Sequence, residues 1–495
     1  MSELTQGPGR LPGPDPLQVT ADHGLAQLAG AVGSGAVSAV ELVTMSLTRI
    51  ATGNAHLNAV IAIDAASALA QAQDVDAKAA AGERLGPLAG IPFLVKDLED
   101  LAGFVTTKGS TTLARGERAT TDGLMPQRLK QAGAIAIGKT NLPEFAAEGF
   151  TANQLFGKTR NPWSTYWSPG GSSGGSAAAL AAGLAPIATA TDGGGSIRIP
   201  AAFCGLVGIK PTQGLIGRRP IPDWIDLATD GPLANSVADL RLLLEIMSGP
   251  VAGDPNSFPV TLPDAAHAPS HLVALPRTSD YGPLPVDVEA AFTSASQAFA
   301  ALFALPLRSI EPRELFPAAS PDEDWFVIAA AEHVESLGRT WIHENFAQLH
   351  PSTQGFLQAG LGVEIDEYLA ARRRRFDYVR RIDELLGSTG LILSPTVAVS
   401  GIPAAGWVNA AGQLAATGPE IYATMLQNLT GHPAITLPAG RCPNGVPFGL
   451  QVTGPRLCDH WLLDLAARWE ARFPWPLTAP GFEPFTVSAA IAARG

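Results

Sequence analysis

Short, wholly apolar runs recur along the chain between longer amphipathic stretches. NAVIAI (58–63), IPFLVK (91–96) and GAIAIGK (133–139) lack the polar alternation of a half-solvated strand, so they predict strands buried on both faces. Helical patterns such as GLMPQRLKQAG separate them. Ahead of them, LAQLAGAVGSGAVSAVELVTMSLTRI places Ser38 and Glu41 at capping-box spacing. Apolar runs return at LILSPTVAV (391–399) and PAITLPAG (433–440), followed by a closing helical pattern, HWLLDLAARWEARF. Strand alternating with helix predicts an α/β fold with a mostly parallel sheet covered on both faces.

The 495 residues suffice for one large α/β domain or two to three smaller ones. Residues 1–19 read as a flexible Gly/Pro-rich tail with neither the basic nor the apolar region of a signal peptide. Residues 20–495 read as one domain with a variable helical insertion at about 250–388, the last apolar runs rejoining the first sheet. Within that insertion, Arg372–Arg375 are expected to be a solvated helix face. AAALAAGLAPIATA (177–190) is too short and too weakly hydrophobic to span a bilayer, and predicts a buried helix.

Composition narrows the partners. Forty-five acidic against 33 basic residues give a net charge of −12, which argues against a nucleic-acid surface or a polybasic membrane patch. Three cysteines without a CxxC spacing neither staple a secreted fold nor form a zinc site, and favour a reducing, cytoplasmic setting.

Two motifs match familiar patterns and fail on context. Gly133–Thr140 fits the phosphate-cradling G-x-x-x-x-G-K-[ST], but its intervening Ala-Ile-Ala-Ile is itself the strand, and Pro143 interrupts the helix that should follow. Gly171–Gly175 fits the G-x-S-x-G elbow of an α/β-hydrolase-type esterase, with Ser173 as nucleophile and His432 as a distant partner. Turn-rich NPWSTYWSPG stands where the elbow needs a strand.

The chemistry concentrates in SPGGSSGGSAAALAAGLAPIATATDGGGSIRIPAAFCGLVGIKPT, residues 168–212. A flexible linker does not run into a buried helix and then a second glycine cluster. Tight packing of glycines would account for one cluster but not both. Successive glycines in Asp192-Gly193-Gly194-Gly195-Ser196 can turn backbone N–H groups toward one point, the arrangement that holds an oxyanion. Ser196 then stands ready to attack the carbon bearing that oxygen. None of the nine histidines lies nearby to serve as base. Lys96, Lys139 and Lys210 each end an apolar run, where desolvation would keep an amine neutral. Position alone does not choose among them.

GPLAGIPFLVKD, the segment around DGGGSIRIPAAFCGLVGIKPT, and TGHPAITLPAG with GVPFGLQVTGP together resemble the amidase signature family of serine hydrolases, over about residues 25–245 and 390–475. The resemblance implies a twisted mixed sheet of about eleven strands wrapped by helices. It implies Ser196 as nucleophile, Ser172 as a serine following a cis peptide bond, and Lys96 as base. It places the oxyanion hole on Gly193, Gly194, Gly195 and the Ser196 N–H, gives Ser173, Asp192 and Arg198 supporting positions, and leaves Lys139 and Lys210 structural. No metal or cofactor is implied, and a monomer or homodimer is expected.

The substrate is then a small-molecule amide with an apolar or aryl group. A carbamate is the alternative, since it presents a similar carbonyl. Candidate pocket residues are Ala146, Ala147, Gly149, Ile197, Ile221, Trp224, Trp325 and Trp341, small residues beside aromatics. The S-L-D-Q pattern of glutamine amidotransferase A subunits is missing after Lys210-Pro211-Thr212. A binding protein that kept the fold without the chemistry would be expected to have lost Ser196, Ser172 or Lys96.

Overall fold

The computed structural model describes residues 24–257, 259, 268–278, 282–406 and 423–492. The expected tail at 1–19 lies outside them. All five apolar runs are strands: Val60–Ile63, Pro92–Lys96, Ile135–Thr140, Gly390–Pro395 and Ala434–Arg441. Their continuous apolarity follows from burial on both faces, and every residue of Pro92–Lys96, Ile135–Thr140 and Gly390–Pro395 is buried. Ser38 caps the helix Ala39–Leu57 through a reciprocal capping box with Glu41.

The strands are hydrogen-bonded in two main sheets. A four-stranded set runs Val60–Ile63, Ile135–Thr140, Pro92–Lys96, Ile187–Ala188, with Pro92–Lys96 parallel to both its neighbours. A seven-stranded set runs Leu233–Ala234, Val207–Lys210, Ala434–Arg441, Pro447–Thr453, Gly390–Pro395, His271–Ala274, Leu307–Ser309. Its first four pairings are antiparallel and its last two parallel, so the sheet is less parallel than the run of strands and helices suggests.

Three local expectations change. The Ala-rich segment gives a helix only at Gly174–Ala181, because Gly183 takes a left-handed turn (φ 59°) and the chain then enters the strand Ile187–Ala188. Between 250 and 388, helices predominate, but His271–Ala274 and Leu307–Ser309 join the seven-stranded set. The arginine run lies in the helix Ile365–Leu386 and is not a solvated face. Arg372 pairs with Asp226 and Glu332 (both 2.9 Å), Arg374 with Asp324 (2.5 Å) and Arg375 with Asp226 (2.6 Å). Asp226, on the loop ahead of Thr229–Asp230, and Asp324 and Glu332, on the helix Pro321–Leu337, supply the counter-charges, so the run clamps this helix onto the body.

Candidate active site

The strand Pro92–Lys96 delivers Lys96 at its carboxyl end, fully buried. Its Nζ is 2.8 Å from Ser172 Oγ and 2.7 Å from Thr191 Oγ1, while its backbone N–H donates to Thr189 Oγ1 (2.9 Å). Burial is the largest influence on the amine and pulls its pKa down to about 7, against the opposing charges of Glu99, Asp192 and Asp230.

The other two lysines differ in partners. Lys139 pairs with Asp97 at 3.1 Å and donates to the Glu99 carbonyl. Lys210 is also drawn to about 7 by burial, yet its amine bonds to the Pro211 carbonyl. Among the described residues, Lys96 alone of the three reaches a serine hydroxyl, a difference that position in the sequence does not reveal.

Ser172 follows a cis peptide bond from Gly171, and its neighbour Ser173 stands at the N-cap position of the helix Gly174–Ala181 without a side-chain capping bond. Ser173 Oγ sits 3.4 Å from both the Thr191 N–H and carbonyl, tying this loop to the segment that carries Asp192. Ser173 is fully buried and so does not stand exposed as an elbow nucleophile must. His432 is occupied by Thr430 and Asp383. Gly133–Thr140 is strand over its last six residues, leaving no phosphate-binding loop.

Close packing explains the glycines in both clusters, against the expectation that it would explain one. A Cβ on Gly171 would fall 2.7 Å from the Glu148 and Phe150 carbonyls, and one on Gly175 2.4 Å from the Asn141 carbonyl. On Gly193 it would strike the Trp224 ring at 2.2 Å, on Gly194 the Trp325 ring at 2.6 Å, and on Gly195 (φ 126°) Thr424 Oγ1 at 2.3 Å.

The same neighbours orient the second cluster's peptides. Trp325 Nε1 donates to the Gly193 carbonyl (2.8 Å), Thr424 Oγ1 to the Gly194 carbonyl (2.6 Å), and the Ile199 N–H to the Gly195 carbonyl (2.7 Å). In a trans peptide the N–H points away from its carbonyl, so each anchored carbonyl aims the following N–H to the other side. The Gly195 N–H is thereby directed to Asp192 Oδ1 (2.8 Å). It is engaged within the protein and is not available as an oxyanion donor, a correction to the expected set. The N–H groups of Gly193, Gly194 and Ser196 have no protein acceptor among the described residues.

Asp192 and Arg198 form the base of this turn. Arg198 is fully buried and gives Asp192 two hydrogen bonds, at 2.9 and 2.8 Å, while reaching Gln427, Gln451, Asn428 and the Thr424 carbonyl. Burial pushes the Asp192 carboxyl up, but the Arg198 charge and the bonds from Arg198 and Asn428 outweigh it and hold the pKa at about 2. Ser196 is 8% exposed, whereas Lys96, Ser172, Asp192 and Arg198 are at 1% or below. Of this group, Ser196 is the one that meets solvent.

The pocket candidates divide. Trp224 and Trp325 meet edge to face (ring centres 5.3 Å apart) against the glycine turn, and Ala147 packs in the same cluster. Gly149 is buried and Ala146 half-buried at a positive φ of 60°. Trp341 packs on Phe145. Ile197 is fully buried in the main core, and Ile221 is 61% exposed, so these two do not belong with the aromatic group. Sequence reading missed Thr191, Thr424, Gln427, Asn428 and Gln451, which hold the lysine and the arginine. It also missed His333 and Phe356, which extend the aromatic cluster. Isolated Thr, Gln and Asn carry no spacing signal, although buried polar residues within apolar strands, such as Gln451 in FGLQVT, invite the question of a partner.

Comparison with known proteins identifies the family. A family model described as Amidase matches residues 41–463. The chain is 35% identical over 465 residues to the putative amidase AmiB2 of Mycobacterium bovis, covering 92% of this chain and 97% of that one. It is 34% identical over 475 residues to the acylamidase of Rhodococcus erythropolis, covering 91% and 95%. The crystal structure of a bacterial aryl acylamidase of the amidase signature family superposes with a TM-score of 0.81 at 26% identity, over 92% of this chain and 96% of that one.

Proposed function

The chain belongs to the amidase signature family and is an amidohydrolase; from that premise we propose that it cleaves amides bearing an apolar or aryl group through an acyl-enzyme on Ser196. The observation that carries this reading is the buried Lys96 amine, 2.8 Å from Ser172 and drawn down to about 7. A neutral amine has two hydrogens and a lone pair. It gives one N–H to Thr191 and turns the lone pair to the Ser172 hydroxyl.

Lys96 takes the Ser172 proton while Ser172 takes the Ser196 proton, and Ser196 Oγ attacks the carbonyl carbon. The N–H groups of Gly193, Gly194 and Ser196 donate to the developing oxyanion. Proton return through Ser172 to the nitrogen lets the amine leave, and water repeats the sequence on the ester. Trp224 and Trp325 wall the apolar side of the pocket and favour flat, apolar groups. The test is labelling with a small sulfonyl fluoride, followed by peptide mass spectrometry on wild type and Lys96→Ala. An adduct on Ser196 that is largely lost in the variant is expected. An adduct on Ser173, or none, would overturn the assignment.

A further inference from the structure

His333 sits in the helix Pro321–Leu337 at 1% exposure, and neither of its ring nitrogens has a hydrogen-bond partner among the described residues. Trp224 Nε1 is likewise buried without an acceptor. The two rings are neighbours, with centres 6.1 Å apart, and the Trp224 indole is the one pressed against Gly193. Phe145 (6.1 Å) and Phe356 (5.6 Å) meet His333 edge-on, while Phe356 also meets Trp224 at 6.2 Å. Buried polar groups in folded proteins are almost always paired. Here two orphans lie on adjoining rings among further aromatic rings, with the Lys108–Asp223 ion pair close by, and one of the two rings, Trp224, packs against Gly193 of the glycine turn.

We propose that His333 and Trp224 form a polar subsite that binds a neutral carboxamide-type group carried by the substrate in addition to the bond that is cleaved. This rests on the amide-hydrolase reading above. Burial draws the imidazole down to about 4, with Asp223 opposing and Lys108 adding to the effect, so at neutral pH it offers one N–H and one lone pair. Trp224 adds a second N–H. Two donors and one acceptor match a group with a carbonyl oxygen and an N–H, as in a primary carboxamide or a urea. A carboxylate would meet the imidazole lone pair with no hydrogen to give it. An ammonium would find one acceptor for three hydrogens. The surrounding rings suit a planar scaffold holding that group. The substrate class is therefore narrower than an apolar anilide: a flat amide with a second, uncharged amide-like function.

The experiment is calorimetric binding to the Ser196→Ala protein, with 4-acetamidobenzamide and 4-isopropylacetanilide as matched probes. The carbamoyl probe should bind at least about tenfold tighter, although its partner is more apolar; tenfold is the scale of one well-formed hydrogen bond in a dry site. Adding His333→Leu should abolish or invert the preference. Adding Trp224→Phe should reduce it about threefold or more, and His333→Gln, which keeps a donor and an acceptor, should retain part of it. Equal or tighter binding of the isopropyl probe overturns the subsite and means that water serves the orphan nitrogens. So does a preference unchanged by His333→Leu, or by Trp224→Phe and His333→Gln should the leucine variant not fold. Failure of wild type to hydrolyse either probe while the preference persists strikes the hydrolase reading and leaves the subsite standing.

Discussion

Arg198 and His333 are both shut away from solvent, at 0% and 1% exposure, and their surroundings could hardly differ more. The guanidinium gives hydrogen bonds to nearby Asp192 and, from two distant stretches of chain, to Gln427, Asn428 and the Thr424 carbonyl and to Gln451. The imidazole has none among the described residues; three aromatic rings surround it, with the Lys108–Asp223 ion pair near enough to act on it. One region is complete without a ligand: its polar groups are paired, which fixes the glycine turn and the direction of each N–H. The other keeps polar capacity in reserve beside apolar walls. Preorganised chemistry calls for the first arrangement and discrimination among substrates for the second.

The comparison can be broken most severely at the relay. Lys96→Met should lower kcat/KM on an anilide by about 10²–10⁴-fold, the usual weight of general acid–base catalysis. Steady-state kinetics on protein shown to be folded by circular dichroism checks this. A smaller loss would mean that Ser172 finds another base.

Next in size is the paired region's stability. Arg198→Met leaves the Asp192 anion buried without its cation and should cost about 3–5 kcal/mol in urea unfolding. His333→Leu removes a group that has no partner, and should leave the midpoint level or raise it. The Asp192 carboxyl, held at about 2, lies below its unfolded value of about 3.9. Its contribution is therefore present above about pH 4 and fades as pH falls toward 2. That limb of the stability profile should be absent in Arg198→Met.

The pH–rate profile comes third. On the proposed relay Lys96 works as the free amine, so kcat/KM should climb with pH through about 7 and then level off. A flat profile from pH 5 to 9 would show that its protonation does not govern the rate.

The smallest effect falls where the two regions meet. Trp325→Phe keeps the ring but removes the hydrogen bond to the Gly193 carbonyl, worth about 1 kcal/mol. A loss of about fivefold in kcat, with KM nearly constant, is expected if that bond aims the Gly194 N–H. A change in KM alone would reduce Trp325 to a pocket wall.

Legibility in the sequence followed the density of local constraint. Ser38 with Glu41 announced a helix start, and Ile91–Lys96 announced a buried strand, because such patterns depend on neighbours a few residues away. The glycine clusters were visible, but the reason for each glycine was not. Gly193 and Gly194 are required by Trp224 and Trp325, which approach from elsewhere in the chain. The arginine run was read as solvated because its acids, Asp226, Asp324 and Glu332, are remote in sequence. Ile197 and Ile221 both follow Ser196 in the chain, and folding sent one into the core and the other into water.

By itself, then, the sequence determined the strands, the glycine-rich turn with its serines, and a short set of lysines able to serve as base, all of them properties of contiguous residues. Tertiary structure decided which lysine meets Ser172, which N–H groups stay free, and which aromatic rings enclose His333. Those outcomes depend on hydrogen bonds and close approaches between segments separated by up to some 250 residues, such as Arg198 with Gln451. No local pattern encodes a distance of that kind, because it exists only once both segments have been packed against the same core.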